Sequence, residues 1–188
     1  HSTKAQVVAK REFAGYWEYV LDEALFTAPA HPNWGGSALI DRFGRLAGIG
    51  SLFVQLPRSG GDRPLDGNMI VPIDLLKPIY DDMRLFGRVN KPPRPWLGMY
   101  TAEAEGELVV VGLAEEGPAD LAGVDVGDRV IEVDGEPVGS LADMFRRIWS
   151  LGAVGVQVPL TLWRESEAIT LGVTTIDRNE LLKRPKLH

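Results

Sequence analysis

Few residues of this chain could carry covalent chemistry. Its 188 residues include no cysteine, which excludes a thiol nucleophile, a disulfide framework and thiolate metal sites. The histidines are His1, His31 and His188. Two of them stand at the sequence ends, so neither a metal site nor any other cofactor is expected. Reactive residue types gather in residues 27–36 (TAPAHPNWGG), which hold His31, Pro32, Asn33, Trp34, Gly35 and Gly36, with Ser37 next. A serine beside a glycine pair could be a nucleophile if a base activated its hydroxyl. Ser37, however, opens the apolar run SALID and lies where a strand has already begun. His31 is nearby in sequence and reads as an ordinary loop histidine. The other chemistry the sequence offers is recognition: residues 96–176 read as one small domain with a groove for an extended peptide.

Composition bounds the rest. Apolar residues make up 45% and charged residues 24%, a soluble globular balance. The net charge of -6 gives no nucleic-acid footprint and suits a basic peptide better than a polyanion. No stretch reaches the length of a membrane span, and no signal peptide opens the sequence. The first residue is not Met, so a mature or truncated product is expected. The length suffices for one domain or two small ones.

The elements that must position these residues follow from local pattern. The apolar QVV near the start reads as a strand beginning. Residues 13–25 read as a strand into a turn or a short helix, and aromatic content favours a strand over residues 16–21. Two Pro, an Asn and a Gly pair make residues 27–36 an irregular loop. Residues 37–41 and 46–53 read as strands joined by a hairpin, with Gly44 at positive φ. Residues 57–67 (PRSGGDRPLDG) read as a polar, mobile surface loop, and 68–72 as a short strand. An amphipathic helix is expected over 73–86, capped by Asp74, with Leu75, Leu76, Ile79, Met83 and Phe86 on one buried face and Gly87 as C-cap. Pro78 fits its first turn poorly. The prolines of residues 89–95 make a semi-rigid linker.

Beyond the linker the pattern is denser. A strand is expected over residues 107–111, then a short helix over 118–121 ended by Gly123. A strand over 129–133 leads into an Asp134-Gly135 turn. Ser140 caps a helix over 141–150, and residues 156–164 and 168–175 form a closing hairpin. Residues 177–188 form a polar tail with a short helix before Pro185. Some five strands and two helices form a small, partly open β-barrel whose liability is an exposed sheet edge.

Several runs of this segment carry a resemblance: Trp96-Leu97-Gly98-Met99, Gly117-Pro118-Ala119, Leu121-Ala122-Gly123-Val124, Gly127-Asp128-Arg129-Val130-Ile131 and Val133-Asp134-Gly135-Glu136-Pro137-Val138. In order and spacing it resembles a PDZ domain of the HtrA protease type. The resemblance implies that Trp96, Leu97, Gly98 and Met99 form a loop whose backbone N–H groups hold a peptide's terminal carboxylate, with Gly98 admitting close approach. The strand from Met99 would pair with the peptide, and Met144, Phe145 and Ile148 of the helix would supply a side-chain pocket. The bland alternative is that these apolar residues are core.

The first segment resembles the second β-barrel of the trypsin-like protease domain of the same family. The resemblance rests on Asp22-Glu23-Ala24, residues 33–41, Gly44-Arg45-Leu46-Ala47-Gly48-Ile49, Val71-Pro72-Ile73 and Phe86-Gly87-Arg88-Val89. The family's Gly-Asn-Ser-Gly-Gly-Pro stretch is here Pro32-Asn33-Trp34-Gly35-Gly36-Ser37. Trp34 stands at the nucleophilic serine and offers only an indole N–H. Pro32 stands at the oxyanion glycine and has no N–H to give; one lost donor of this kind costs about 3 kcal/mol of transition-state stabilisation. The general-base histidine and its carboxylate belong to a first barrel that this sequence does not contain.

The expected fold is therefore mainly β: part of a trypsin-like second barrel (residues 1–90), a linker (91–95), a PDZ domain (96–177) and a tail (178–188). The expected function is a non-catalytic HtrA-like protein that binds peptide C-termini or unfolded segments. The alternatives are an HtrA-type serine endopeptidase, or a fragment of one, in protein quality control, and a structural or assembly module. A homo-oligomer or a partner chain is expected to cover the face a first barrel would occupy. By resemblance alone, the location is the bacterial periplasm or cell envelope.

Overall fold

The computed structural model describes residues 2–57 and 63–181. These form two compact units: His1–Phe13 with Leu21–Asn90, and Ala14–Val20 with Lys91–His188. The division near residue 90 falls at the linker, but a short piece of the N-terminal segment joins the second unit.

The first unit is built on a five-stranded sheet in the order β1-β2-β5-β4-β3, with β1 Gln6–Gly15, β2 Tyr19–Ala28, β3 Ala38–Ile40, β4 Leu46–Leu56 and β5 Leu65–Pro72. Adjacent β4 and β5 run antiparallel, with a bulge between Gly50 and Leu52. Phe26 and Met69, neighbours across the β2–β5 pair, are both fully buried and anchor the core of this unit. The β3–β4 hairpin turns at Gly44, with φ +77°, whose N–H donates to the Asp41 carbonyl at 3.0 Å. The sheet is open, so a closed barrel is not what these strands form.

Three expectations for residues 1–90 are corrected. Residues 16–21 are not one strand. Gly15 accepts the Glu18 N–H at 3.1 Å and the chain reverses there, while the Tyr16, Trp17 and Tyr19 rings pack on one another at 4.4 and 5.2 Å. Aromatic content, read as a strand signal, here packs a hairpin tip. The helix over 73–86 is broken into two 3-10 turns, Ile73–Leu75 and Lys77–Ile79, followed by α1, Tyr80–Phe86. Pro78 lacks an N–H and crowds the carbonyl four residues back, so an α-helix cannot run through it. Asp74 accordingly caps nothing and pairs with Lys77 at 2.8 Å. The proposed buried face is exposed at Leu75, Leu76, Met83 and Phe86, the last at 60%. Gly87 does cap α1, with φ +66° and its N–H on the Met83 carbonyl. Residues 58–62 of the expected mobile loop lie outside the described residues, and β5 begins at Leu65, earlier than expected.

The second unit is a sheet in the order β11-β10-β8-β7-β6, with a two-residue strand β9 on β8. Its strands are β6 Met99–Ala104, β7 Glu107–Leu113, β8 Arg129–Val133, β9 Glu136–Pro137, β10 Gln157–Arg164 and β11 Glu167–Thr174; its helices are α2 Pro118–Leu121, α3 Leu141–Ser150 and α4 Arg178–Leu181. There are six strands where five were expected, and they form an open sheet. Apolar residues alternate along the strands, so Val110, Val133, Leu160, Leu162 and Val173 all reach one core. The inward stripe of α3 (Met144, Phe145, Ile148) closes that core. The helix starts as its sequence implies, with the Ser140 Oγ accepting the Asp143 N–H at 3.1 Å. Residues 182–188 of the expected tail lie outside the described residues.

An ion pair between a buried carboxylate and a partly exposed guanidinium pins the loop before β8. Asp128, with its side chain 1% exposed, accepts from Arg164 Nε at 2.7 Å and Nη2 at 2.6 Å, and from the Asp125 N–H at 2.9 Å. Arg164 also donates to the Gly123 carbonyl at 2.8 Å, so one guanidinium ties together the end of α2 and the start of β8.

Candidate functional site: a carboxylate-holding loop beside an open strand edge

The sheet order leaves β6 at the edge, with β7 as its one strand neighbour. An unpaired edge presents a row of main-chain donors and acceptors to an added strand. Immediately before it lies the loop Trp96-Leu97-Gly98-Met99. The main chain of Trp96 bridges to Ile176, with N–H to O distances of 3.1 and 3.2 Å in the two directions. The Leu97 carbonyl accepts from the Ala119 N–H at 2.9 Å, and the Gly98 carbonyl from the Ala114 N–H at 2.8 Å. With its carbonyls tied outward, the loop turns its N–H groups the other way. Gly98 makes that turn possible: its φ is +72°, and a Cβ there would stand 3.1 Å from the Trp96 ring and 3.2 Å from the Ala114 Cβ.

Those N–H groups meet one carboxylate. Glu18, at the turn between β1 and β2, accepts from Leu97 N–H at 3.2 Å through Oε2, and from Gly98 N–H at 2.8 Å and Met99 N–H at 3.1 Å through Oε1. The Tyr16 carbonyl accepts from the Thr101 N–H of β6 at 3.3 Å, and the Tyr16 and Tyr100 rings meet edge to face at 6.3 Å. Ala14 and Val20 pack against the apolar core. The hairpin tip Ala14–Val20 thus belongs to this unit and lies on its open strand. Glu18 adopts φ +65°, a left-handed conformation that costs an L residue about 1 kcal/mol. Burial pushes its carboxyl up from 4.5 to about 7, against the downward pull of the Leu97, Met99 and Gly98 N–H groups and the Arg178 charge.

The side chains expected around a peptide lie together. Leu97, Met99, Met144, Phe145 and Ile148 belong to one buried cluster, each exposed by 1% or less. All five are core residues of this unit, so the expected side-chain pocket on α3 is part of the core. Phe145 stacks on Trp149 at 5.8 Å, and the Arg94 guanidinium lies 4.2 Å from the centre of the Trp149 ring. Trp96 is 5% exposed, and its Nε1 is buried without a hydrogen-bond partner. Glu18, whose carboxylate meets the loop, is not singled out by the sequence reading. Its only local signal is a lone carboxylate inside the aromatic run Tyr16-Trp17-Glu18-Tyr19.

In the first unit, the Pro32-Asn33-Trp34-Gly35-Gly36-Ser37 stretch joins β2 to β3. The Ser37 Oγ donates to the Trp34 carbonyl at 2.9 Å, and the Ser37 N–H reaches the same oxygen at 3.0 Å. The His31 Nδ1 accepts from the Asn33 N–H at 3.1 Å, and the His31 N–H donates to the Asn68 Oδ1 at 2.7 Å. Gly36, at φ +76°, donates to the Gly50 carbonyl, and Gly50 donates back to Ser37, which closes the loop on β4. Pro32, Asn33, Gly35 and Gly36 are exposed and Trp34 is half-buried. Among the described residues, no group of three or more acidic, histidine or cysteine side chains could hold a metal ion. No described helix is long and apolar enough to cross a membrane.

An open antiparallel sheet, a short α2, a capped α3 and a main-chain nest before the edge strand define the class: residues 95–175 match the family model of the PDZ domain. Relatives extend the relationship further along the chain. A probable periplasmic serine endoprotease, DegP-like, of Pseudomonas fluorescens is 26% identical over 174 residues, covering 84% of this chain and 35% of that protein. A DegP-like protein of Halomonas elongata is 31% identical, covering 78% of this chain and 32% of that protein. The serine endoprotease DegS of Escherichia coli is 30% identical, covering 77% of this chain and 42% of that protein. This chain thus resembles HtrA/DegP-family proteins that join a serine protease to a PDZ domain, and spans 32–42% of the length of these curated relatives. A solved structure of the HtrA-type protease AlgW with a decapeptide is 20% identical, with a TM-score of 0.49 over 84% of this chain and 50% of that one.

Proposed function

We propose that this chain is a non-catalytic HtrA-like protein that binds peptide C-termini, or unfolded segments, through its PDZ domain. The observation that carries the reading is the convergence of the Leu97, Gly98 and Met99 N–H groups on a single carboxylate. A loop that holds the carboxylate of Glu18 in this way has the donors to hold a terminal one. The adjacent β6 edge offers main-chain pairing to the residues upstream. Such a groove binds modestly, because ordering a flexible tail offsets much of the contact energy.

Two substitutions favour the non-catalytic reading. Trp34 gives no hydroxyl at the position of the family's nucleophile, and Pro32 gives no N–H at that of its oxyanion glycine. The Ser37 hydroxyl is engaged by the Trp34 carbonyl. The second reading, a serine endopeptidase or a piece of one, is favoured by the names of the relatives. The same names favour the periplasm or cell envelope as the location. The exposed Leu85 and Phe86 of α1 favour a cover from a second copy or a partner chain.

Calorimetric titration with one hexapeptide as free acid and as C-terminal amide tests the binding reading. The free acid is expected to bind at least tenfold more tightly; equal affinities, or none, would favour an assembly module. A fluorophosphonate probe is expected to leave the chain unlabelled, and labelling at Ser37 would favour the endopeptidase.

A further inference from the structure

We infer that the Ala14–Val20 hairpin tip is a built-in occupant of the peptide groove, and that an incoming C-terminus must displace Glu18 to bind. The inference rests on the peptide-binding reading and adds its regulation. Three independent contacts put the tip where a peptide would lie. The Glu18 carboxylate takes all three N–H groups of the loop, leaving no main-chain donor of Leu97, Gly98 or Met99 for another anion. Two residues earlier, the Tyr16 carbonyl takes the Thr101 N–H of the β6 edge. The tip is a turn, not an extended strand, yet it places a carboxylate on the loop and, two residues earlier, one main-chain acceptor on the β6 edge. Ala14 and Val20, flanking the tip, rest on the apolar core beneath. A side-chain carboxylate thus stands in for a terminal one.

The backbone of the tip argues the same way. Glu18 holds a left-handed conformation with φ +65°, in a turn closed by its own N–H on Gly15. That position suits Gly or Asn on backbone grounds. A glutamate there is explained by what its carboxylate reaches.

A tethered competitor lowers apparent affinity by the fraction of molecules with the groove free. If the tip is docked nine-tenths of the time, the apparent Kd is about tenfold weaker than that of the open groove. The variant that isolates the effect is Glu18→Gly, which removes the carboxylate and relaxes the left-handed turn. Glu18→Asn, too short to reach the loop but tolerant of that φ, serves as a second variant. Free-acid and amidated forms of one hexapeptide are titrated into the full chain, natural and variant, and the Leu97, Gly98 and Met99 amides are followed by hydrogen exchange without peptide. The expected result is a five- to twentyfold lower Kd for the free acid in both variants, little change for the amide, and faster exchange at the three amides. Unchanged Kd and unchanged exchange would overturn the built-in occupant while leaving peptide binding intact. Absence of free-acid binding by all three proteins would overturn the peptide-binding reading and, with it, the competition.

Discussion

The main-chain N–H of Gly98 lies 2.8 Å from a carboxylate oxygen of Glu18, a residue 80 positions earlier in the chain. That contact couples the groove to pH. Burial raises the Glu18 pKa to about 7 from its ordinary 4.5, so between about pH 4.5 and pH 7 the docked tip holds a proton that the undocked glutamate has released. Docking is therefore most favourable below about pH 4.5, weakens as pH rises towards 7, and is flat above. The Arg178 charge opposes the shift, and Asp177 and Arg94 line the same hollow beside Trp149. Affinity for a free-acid peptide is expected to rise from pH 5 to pH 8 in the natural chain, and to change much less in Glu18→Gly. Calorimetry at several pH values checks this, and a flat profile in the natural chain would refute it.

Gly98→Ala should damage the loop itself. The residue sits at φ +72° with the Trp96 ring and the Ala114 Cβ in the way of a side chain. The expected cost is about 1–2 kcal/mol of stability in a urea melt. Free-acid peptide binding should be lost while amide binding barely moves. Unaltered free-acid affinity would show that the loop geometry is not what holds the carboxylate.

Asp128 and Arg164 tie the start of β8 to β10 through two hydrogen bonds. Burial works to raise the Asp128 pKa but is outweighed by the hydrogen bonds from Arg164, the Asp125 N–H and the Arg164 charge, so the carboxyl titrates below its usual range. Its contribution to stability is present above the ordinary carboxylate pKa and is lost as pH falls through the lowered value. Removing one partner of a buried pair leaves an uncompensated charge, so Arg164→Ala is expected to cost about 3 kcal/mol. Denaturant melts at pH 7 check the value; a change below about 1 kcal/mol would mean that water already solvates Asp128.

Ser140→Ala removes the side-chain acceptor at the start of α3, which holds the Asp143 N–H at 3.1 Å. The expected loss is about 1 kcal/mol. The Leu141 N–H keeps its bond to the Glu103 carboxylate at 3.1 Å, so the helix should fray without melting. Circular dichroism during a thermal melt would report it, and an unchanged midpoint would argue that Glu103 alone caps the helix.

The second unit was largely legible because its signals are local. Ser140 caps, Pro118 opens α2, Gly98 and Gly135 take positive φ, and strands alternate between turn residues at short spacing. Two features were not legible, for different reasons. The Leu75, Leu76, Met83 and Phe86 stripe has helical spacing, yet spacing says only which residues share a face, not that anything covers it. Pro78 does more than fit poorly: it replaces the first half of the helix with 3-10 turns. The role of Glu18 could not be read at all. Its partners lie 79 to 81 residues away, and a strand signal from Tyr16, Trp17 and Tyr19 masked the turn that delivers it. Nothing in local propensity encodes a pairing between a hairpin tip and a distant loop.

An amide-resonance titration of the Glu18→Gly chain with one hexapeptide, as free acid and as amide, reads carboxylate capture at the loop itself. The Leu97, Gly98 and Met99 amides are expected to move strongly downfield with the free acid, with Thr101 following, and hardly to move with the amide. Equal responses to both peptides, or shifts that map away from this loop and the β6 edge, would contradict it.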